Sequence, residues 1–189
     1  MIMKKIFVLS TLLFCILSAF SQSTSQKINE LLSAYSKVNR FNGSALVAKD
    51  GKILLDNGYG YRNAADRVLN NEQTIFQIGS ITKQFTSAVV LRLQEEKKLS
   101  LTDKLSKFFP DYPKGDSITI QELLSHTSGI TNYTNDQNFM KNEITKPASR
   151  EKMMALFKDK PLDFSPGTSW KYSNSGYSML GYIIEKVTG

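Results

Sequence analysis

The chain has 189 residues, of which 41% are hydrophobic, 22% charged and 11% aromatic, which is the composition of an ordinary globular protein. This composition excludes a collagen-like fibre and a multi-span membrane protein, and the length is typical of one domain or slightly more. The formal net charge is +7, and the chain contains one histidine. Because most histidine-based metal sites need at least two imidazoles, the sequence offers no plausible zinc site, and we expect neither a metal nor a cofactor.

Residues 1–21 have the pattern of a secretory signal peptide. Lys4 and Lys5 precede the apolar or small stretch 6–20, and small residues stand at Ala19 and Ser21, the two positions that a signal peptidase reads. The stretch is 15 residues long, whereas a membrane-spanning helix needs roughly 20. We expect cleavage after Ser21, no stable membrane span afterwards, and a secreted or periplasmic protein. An uncleaved N-terminal anchor is the alternative.

Cleavage would also remove Cys15, so the mature chain would contain no disulfide. It would retain 22 basic and 17 acidic residues. The basic residues are scattered and alternate with acidic ones, which indicates a solvated surface, and we expect no nucleic-acid partner.

Three segments before residue 99 have a clear periodicity. Apolar residues at helical spacing predict an amphipathic helix over residues 24–39. Two apolar strands, residues 44–49 and 52–56, flank Asp50-Gly51, a dipeptide typical of a two-residue hairpin turn. A second helix is predicted over residues 80–98.

The remaining segments are shorter. Residues 62–74 are polar and predict a loop, and residues 99–163 contain short helical patterns and many loops. Thr119 opens one helix with a capping box, Ser149 opens another, and a last helix is predicted over residues 175–187. These patterns divide the chain into the signal peptide 1–21, an N-terminal part 22–98 that includes the second helix, and a mainly helical part 99–189.

Ser80-Ile81-Thr82-Lys83 is the first candidate for chemistry. Positions i and i+3 of a helix share a face, so Lys83 would lie one turn behind the hydroxyl of Ser80 at the helix start. A serine becomes a nucleophile when a base takes its proton, and a neutral lysine amine can be that base. The helix N-terminus would also direct backbone N–H groups at a developing oxyanion.

The spacing alone does not distinguish a nucleophile from a helix-capping serine. Ser149 and Lys152 have the same spacing, but polar residues flank them, which favours a capping serine followed by a surface charge. The helix after Ser80 is apolar, and a lysine at the buried start of a core helix is harder to explain without chemistry. Both interpretations of Ser80 stay open on spacing and context.

Tyr172-Ser173-Asn174 is the second candidate. A tyrosine near a serine–lysine pair can relay a proton to a leaving group, and an asparagine amide can orient the lysine and a substrate carbonyl. Residues 61–63 and 133–135 have the same Tyr-x-Asn spacing, and each is by itself consistent with loop chemistry. His126, at the end of a short helix, is interpreted as structural rather than as part of a catalytic triad.

Four short segments stand in a characteristic order along the chain, namely residues 76–83 (FQIGSITK), 123–130 (LLSHTSGI), 164–168 (FSPGT) and 170–177 (WKYSNSGY). Through them the sequence resembles the serine beta-lactamase-related family, which includes class C beta-lactamases, D-alanyl-D-alanine carboxypeptidases and esterases. The resemblance implies an α+β fold of the beta-lactamase/transpeptidase type. In this fold an antiparallel sheet has flanking helices, and a helical lobe is inserted between the serine helix and the tyrosine loop.

The resemblance also implies a role for each candidate residue. Ser80 would be the acylated nucleophile, with its backbone N–H forming half of the oxyanion hole, and Lys83 would be its base partner. Tyr172 would shuttle protons, and Asn174 would hold the substrate amide and the lysine. His126 would remain structural. The substrate would be a small molecule or a peptidoglycan peptide with a peptide, beta-lactam or ester carbonyl.

One feature of the family is not matched. Its third motif, Lys-Thr-Gly or His-x-Gly, lies on a later strand, whereas residues 186–189 (KVTG) have one residue too many and are predicted to end a helix. We therefore expect the C-terminal strands of the sheet to be missing, and these 189 residues alone to be a truncated, poorly stable form with little or no turnover. The alternative function is a non-catalytic module on the same scaffold that binds cell-wall peptides or beta-lactams.

Overall fold

The computed structural model describes residues 22–189. The predicted signal peptide, with Cys15 and the cleavage after Ser21, lies outside the described residues. The chain divides into two compact units, one ending at Gln77 and the other running from Ile78 to Gly189. The serine helix groups with the second unit because Val90 and Leu93 of that helix are buried in the core of that unit.

The first unit combines a helix with a hairpin. Its main elements are α1 (Thr24–Lys37), β1 (Gly43–Lys49) and β2 (Lys52–Tyr59). The strands pair antiparallel, and Asp50 and Gly51 between them have φ of 50° and 74°, the two left-handed residues that a type I′ turn requires. α1 lies against β2, where the Tyr59 hydroxyl donates to Asn29 Oδ1 over 2.8 Å. The predicted helix and hairpin are confirmed.

A second, smaller hairpin lies in the segment predicted as a loop. β3 (Tyr61–Asn63) pairs antiparallel with β4 (Val68–Leu69). Asn63 turns the chain between them, because its Oδ1 accepts from the Asp66 backbone N–H over 3.2 Å and its Nδ2 donates to Asp66 Oδ2 over 2.7 Å. The polar residues therefore identified the turn correctly, but the strands are too short to give a periodic signal.

The second unit is helical, and its two long helices pack against each other. It begins with a 3₁₀ turn at Gly79–Ile81, which is followed by α2 (Thr82–Glu95), α3 (Leu105–Phe108), α4 (Ile120–Leu124), α5 (Gln137–Asn142), α6 (Arg150–Ala155) and α7 (Asn174–Thr188). Further 3₁₀ turns lie at Gly115–Ser117 and Tyr133–Asn135.

The capping patterns read from the sequence are present. Thr119 Oγ1 accepts from the Glu122 N–H over 3.2 Å, and Glu122 Oε2 accepts from the Thr119 N–H over 2.7 Å. This reciprocal pair satisfies two donors that the first turn of α4 would otherwise leave unpaired. Ser149 Oγ accepts from the Lys152 N–H over 3.2 Å and caps α6 without a reciprocal bond.

One apolar core holds the second unit together. Its buried members come from α2, α3, α4, α7 and the loops between them: Val90, Leu93, Leu99, Leu105, Tyr112, Ile118, Ile120, Leu123, Ile130, Phe157, Met179, Leu180 and Ile183. Replacing one of the buried leucines or isoleucines by alanine costs about 2–5 kcal/mol. The core therefore fixes the relative position of α2 and α7, the two helices whose N-terminal ends carry the candidate residues.

Three helices end in the same way. One residue after the helix has the left-handed conformation, and the N–H of the residue that follows it donates to the carbonyl five residues before that donor, over 2.9 Å in each case. This is the Schellman motif, in which glycine is the usual left-handed residue. None of the three residues here is glycine. They are Asn39 after α1, Lys97 after α2 and His126 after α4, with φ of 55°, 57° and 61°.

Within residues 22–189, the structure contains no helix both long and apolar enough to cross a bilayer.

Candidate active site

Ser80 lies in the 3₁₀ turn that leads into α2. The preceding Gly79 has φ of 52°, a left-handed conformation that strains any residue with a Cβ. A Cβ at Gly79 would meet no atom within 4 Å, so the backbone conformation, and not lack of space, favours glycine here. This turn leaves the Ser80 side chain exposed at the N-terminal end of α2.

The four residues predicted to carry chemistry meet at this point. Ser80 Oγ and the Tyr172 hydroxyl are 2.7 Å apart and share a hydrogen bond. Lys83 Nζ donates to Ser80 Oγ over 3.3 Å and to Asn174 Oδ1 over 2.7 Å. A serine hydroxyl held between a phenol and an amine has the arrangement that activates a nucleophile.

The start of α7 places Tyr172 and Asn174. Ser173 between them is buried and is the N-cap of α7, and its Oγ accepts from the Gly176 N–H over 3.3 Å. Tyr172 therefore belongs to the extended segment before the helix, and Asn174 is the first helical residue. The N-cap residue Ser173 has an extended conformation, and the side chains on either side of an extended residue point to the same face. Tyr172 and Asn174 can therefore reach the same site.

Two residues that the sequence analysis did not select hold Asn174. The Asn132 Oδ1 accepts from the Asn174 backbone N–H over 3.1 Å, and the Asn174 Nδ2 donates to Thr134 Oγ1 over 3.2 Å. Asn132 is buried and also accepts from the Thr134 N–H over 3.3 Å. These bonds leave the Asn174 Oδ1 directed at Lys83. A turn-forming asparagine gives no sequence signal for such a role.

The surroundings of Tyr172 shift the pKa of its phenol downward. Partial burial raises the pKa of the phenol, but interactions with the side chains of Lys83 and Ser80 and the charge of Lys83 outweigh it, so the pKa lies below its usual value of 10.0. Lys83 Nζ also lies 4.9 Å from the centre of the Tyr172 ring and 5.4 Å from that of Tyr177.

His126 lies directly behind Tyr172. Their ring centres are 4.6 Å apart, and the centre of the Tyr177 ring is 5.0 Å away on the same imidazole. His126 Nδ1 accepts from the Ser173 backbone N–H over 3.2 Å. Burial, with a smaller contribution from the charge of Lys83, holds the pKa of His126 below its ordinary value of 6.5.

The look-alike motifs of the second unit make different contacts, and that of residues 133–135 supports the cluster through the Thr134 contact with Asn174. Ser149 caps α6, and Lys152 Nζ pairs with Glu143 over 3.0 Å, as the polar flanks predicted. Residues 133–135 form a 3₁₀ turn. The C-terminal segment 186–189 ends α7, as expected for a helical end.

The fold is of the serine-hydrolase type found in beta-lactamases and penicillin-binding proteins. The sequence model of the family named Beta-lactamase matches residues 28–189, which is most of the chain, and the chain therefore belongs to the Beta-lactamase family. The expected α+β fold of this family is confirmed.

Individual relatives agree with this assignment. The chain is 34% identical over 161 residues to PbpX of Bacillus subtilis, which is named as a penicillin-binding protein. The match covers 85% of this chain and 39% of that protein. The crystal structure of a penicillin binding protein from Bacillus halodurans matches with a TM-score of 0.75 and 30% identity, over 89% of this chain and 50% of that one.

A class C beta-lactamase in complex with cefoxitin matches with a TM-score of 0.70 and 27% identity, over 86% of this chain and 44% of that one. The chain spans less than two fifths of the length of the curated relatives it matches.

Proposed function

We propose that the protein is a secreted serine hydrolase that acts through an acyl-serine intermediate on a peptide, beta-lactam or ester carbonyl of a small molecule or peptidoglycan peptide. The observation that carries the proposal is the position of Ser80 Oγ, 2.7 Å from the Tyr172 hydroxyl and 3.3 Å from Lys83 Nζ. These distances allow the serine proton to move directly to a neighbouring group while the oxygen attacks.

The first proton acceptor would be Tyr172. Its oxygen is closer to Ser80 Oγ than Lys83 Nζ is, and the lowered pKa of the phenol favours the phenolate that can accept a proton. Lys83 would stabilise that phenolate by its charge and exchange protons through Ser80. The Ser-x-x-Lys spacing and the family resemblance instead favour Lys83 as the base, and the two assignments predict different effects of replacing Tyr172.

In this mechanism Tyr172 carries one proton through acylation and deacylation. Ser80 Oγ bonds to the carbonyl carbon while its proton passes to the Tyr172 oxygen, and the same proton is delivered to the leaving nitrogen or oxygen as its bond to carbon breaks. The acyl group remains on Ser80 until a water, which gives its proton to the same phenolate, attacks the ester. As the ester bond breaks, Tyr172 returns that proton to Ser80 Oγ, so Ser80 leaves as an alcohol and the acyl group is released as a carboxylic acid. Asn174 would orient both Lys83 and the substrate amide, and the Ser80 N–H would form half of the oxyanion hole.

Covalent labelling tests this proposal. The full-length protein, treated with a fluorescent penicillin or a fluorophosphonate, should take up label, and Ser80→Ala should abolish it. Ser149→Ala is the matched control, because Ser149 and Lys152 share the Ser-x-x-Lys spacing but cap a surface helix. Label on the Ser80→Ala variant, or loss of label with Ser149→Ala only, would refute the assignment. Reversible binding of a wall peptide without any label would favour the non-catalytic binding module.

Secretion rests on the signal-like residues 1–21 and is tested separately. N-terminal sequencing of the protein recovered outside the cytoplasm should begin at Gln22. Recovery of an intact Met1 terminus on a membrane-bound protein would support the uncleaved anchor instead.

A further inference from the structure

His126 contacts the Tyr172 segment on both sides of the tyrosine. The His126 carbonyl accepts from the Lys171 N–H over 3.0 Å, and its Nδ1 accepts from the Ser173 N–H over 3.2 Å. Its ring lies against the Tyr172 ring, with centres 4.6 Å apart. One residue therefore fixes the residue before Tyr172, the residue after it and the phenol ring itself.

The side chain has a defined protonation state in this arrangement. A nitrogen that accepts from a backbone N–H must present its lone pair, so the neutral imidazole carries its proton on Nε2. A proton added at Nδ1 would face the Ser173 N–H and break that hydrogen bond. The titratable groups around the ring are Lys83 from α2, Tyr172 from the segment leading into α7, and Tyr177 from α7 itself.

The backbone of His126 has a conformation that glycine adopts without strain. His126 is the left-handed residue of the Schellman motif after α4, with φ of 61°, where glycine would be free of strain. A residue held in a strained conformation at a site suggests a functional constraint when its side chain makes specific contacts there. Here those contacts include the Tyr172 ring and the Ser173 N–H.

We propose that neutral His126 is the positioning residue for Tyr172, and that protonation of His126 at Nδ1 releases the Tyr172 segment and slows acylation of Ser80. This inference rests on the proposed function for its kinetic consequence only. The geometric part, a neutral imidazole that holds residues 171–173, can be tested without any reaction.

Three variants separate positioning from simple structural support. His126→Gly relieves the left-handed strain but removes every side-chain contact. Urea unfolding would establish that this variant is folded, and its acylation should slow by about tenfold to a hundredfold, the cost of a displaced reacting group. Lys97→Gly is the matched control, because Lys97 has the same position after α2 and a φ of 57°, and it should leave acylation unchanged. His126→Asn tolerates the left-handed conformation and retains an acceptor, so it should react faster than His126→Gly.

The pH profile provides the decisive kinetic comparison. The ratio of the wild-type acylation rate to the His126→Asn rate cancels titrations that both proteins share. This ratio should fall as the pH drops through the pKa of His126, because only the wild type can acquire the imidazolium. A ratio that stays constant, or a His126→Gly variant that reacts as fast as the wild type, would overturn the proposal.

Nitrogen NMR of histidine-labelled full-length protein tests the geometric part. The 189-residue chain has one histidine, and its signals should show the Nε2–H tautomer, a pKa equal to the midpoint of the rate ratio, and a simultaneous change in the Tyr172 ring signals. The Nδ1–H tautomer, or Tyr172 signals that do not respond to the titration, would contradict the inference. If Ser80 takes no label while these NMR results hold, the proposed function fails and the positioning of Tyr172 by His126 stands.

Discussion

Lys83 Nζ and Asn174 Oδ1, 91 residues apart in the sequence, are joined by a hydrogen bond of 2.7 Å. This bond links the first turn of α2 to the first residue of α7, and the apolar core that α2 and α7 share keeps the two ends in place. Asn174 in turn is held by Asn132 and Thr134. The position of the lysine beside Ser80 therefore depends on a polar network as well as on helical spacing.

Loss of this bond should slow acylation. Asn174→Ala leaves Lys83 without its best acceptor, and a hydrogen bond to a charged group contributes about 1.5–3 kcal/mol, or roughly tenfold to a hundredfold in rate. Stopped-flow measurement with a chromogenic beta-lactam or ester would give the acylation rate. Asn138→Ala on the surface helix α5 should react like the wild type, and an equal loss in both variants would contradict the role of Asn174.

Lys83 itself should be indispensable for efficient acylation. Lys83→Ala removes the charge beside the phenol and the proton exchange through Ser80, and loss of a proton-transfer partner typically costs about 10²–10⁴ in rate. Lys152→Ala, which removes the other Ser-x-x-Lys lysine, should change only a surface ion pair with Glu143. Fluorophosphonate labelling over time measures both, and normal labelling of Lys83→Ala would exclude a catalytic lysine.

The pH dependence should identify the proton acceptor. Because the pKa of Tyr172 lies below 10.0, the phenolate fraction and the acylation rate should rise with pH, and the midpoint of the rise should lie below pH 10. Tyr172→Phe should be slow at every pH and lack this rise. If Tyr172→Phe keeps the rise and most of the rate, Lys83 is the base and Tyr172 only assists.

The same histidine that lies behind Tyr172 should make stability depend on pH. The folded state holds the pKa of His126 below 6.5, so the unfolded chain binds more protons as the pH falls below about 6.5. Folded-state stability should therefore decrease from pH 6.5 down to the lowered pKa and change no further below it through this group. Urea unfolding of wild type and His126→Asn should show this loss in the wild type only, and parallel curves would contradict it.

A pair of glycines tests the backbone of the second unit. Gly129 has φ of 74°, and a Cβ there would lie 2.1 Å from the Phe164 carbonyl oxygen, so Gly129→Ala should destabilise the protein by about 2 kcal/mol or more. Gly181 is inside α7, and a Cβ there would meet no atom within 4 Å. Gly181→Ala should stabilise the protein by about 0.5–1 kcal/mol. Urea denaturation distinguishes the two, and equal effects would contradict the predicted difference.

Local patterns in the sequence predict much of this structure. Asp50-Gly51, the Thr119–Glu122 capping box and the Ser149 cap each act within a few residues, and each forms as predicted. The strands β3 and β4 are too short to be recognised by alternation. Helix caps and tight turns can therefore be predicted from the sequence without knowledge of the fold.

The assembly of the candidate site is harder to predict from the sequence. Spacing places Lys83 beside Ser80, but it cannot bring Tyr172 to the same point, because that contact depends on the packing of α7 against α2. The family resemblance supplied that pairing. Asn132, Thr134 and the contact of His126 with Tyr172 were missed, since turn-forming residues look alike in a sequence whether they face solvent or a reacting group.

The most direct test of the central claim is the location of the acyl group. Full-length protein is treated with a penicillin, digested with a protease and analysed by peptide mass spectrometry, with Ser80→Ala in parallel. We expect one acyl group per molecule, located on Ser80 and absent from the Ser80→Ala variant. An acyl group on any other residue of the wild type, or none under conditions where the folded protein is intact, would contradict the claim that Ser80 is the nucleophile.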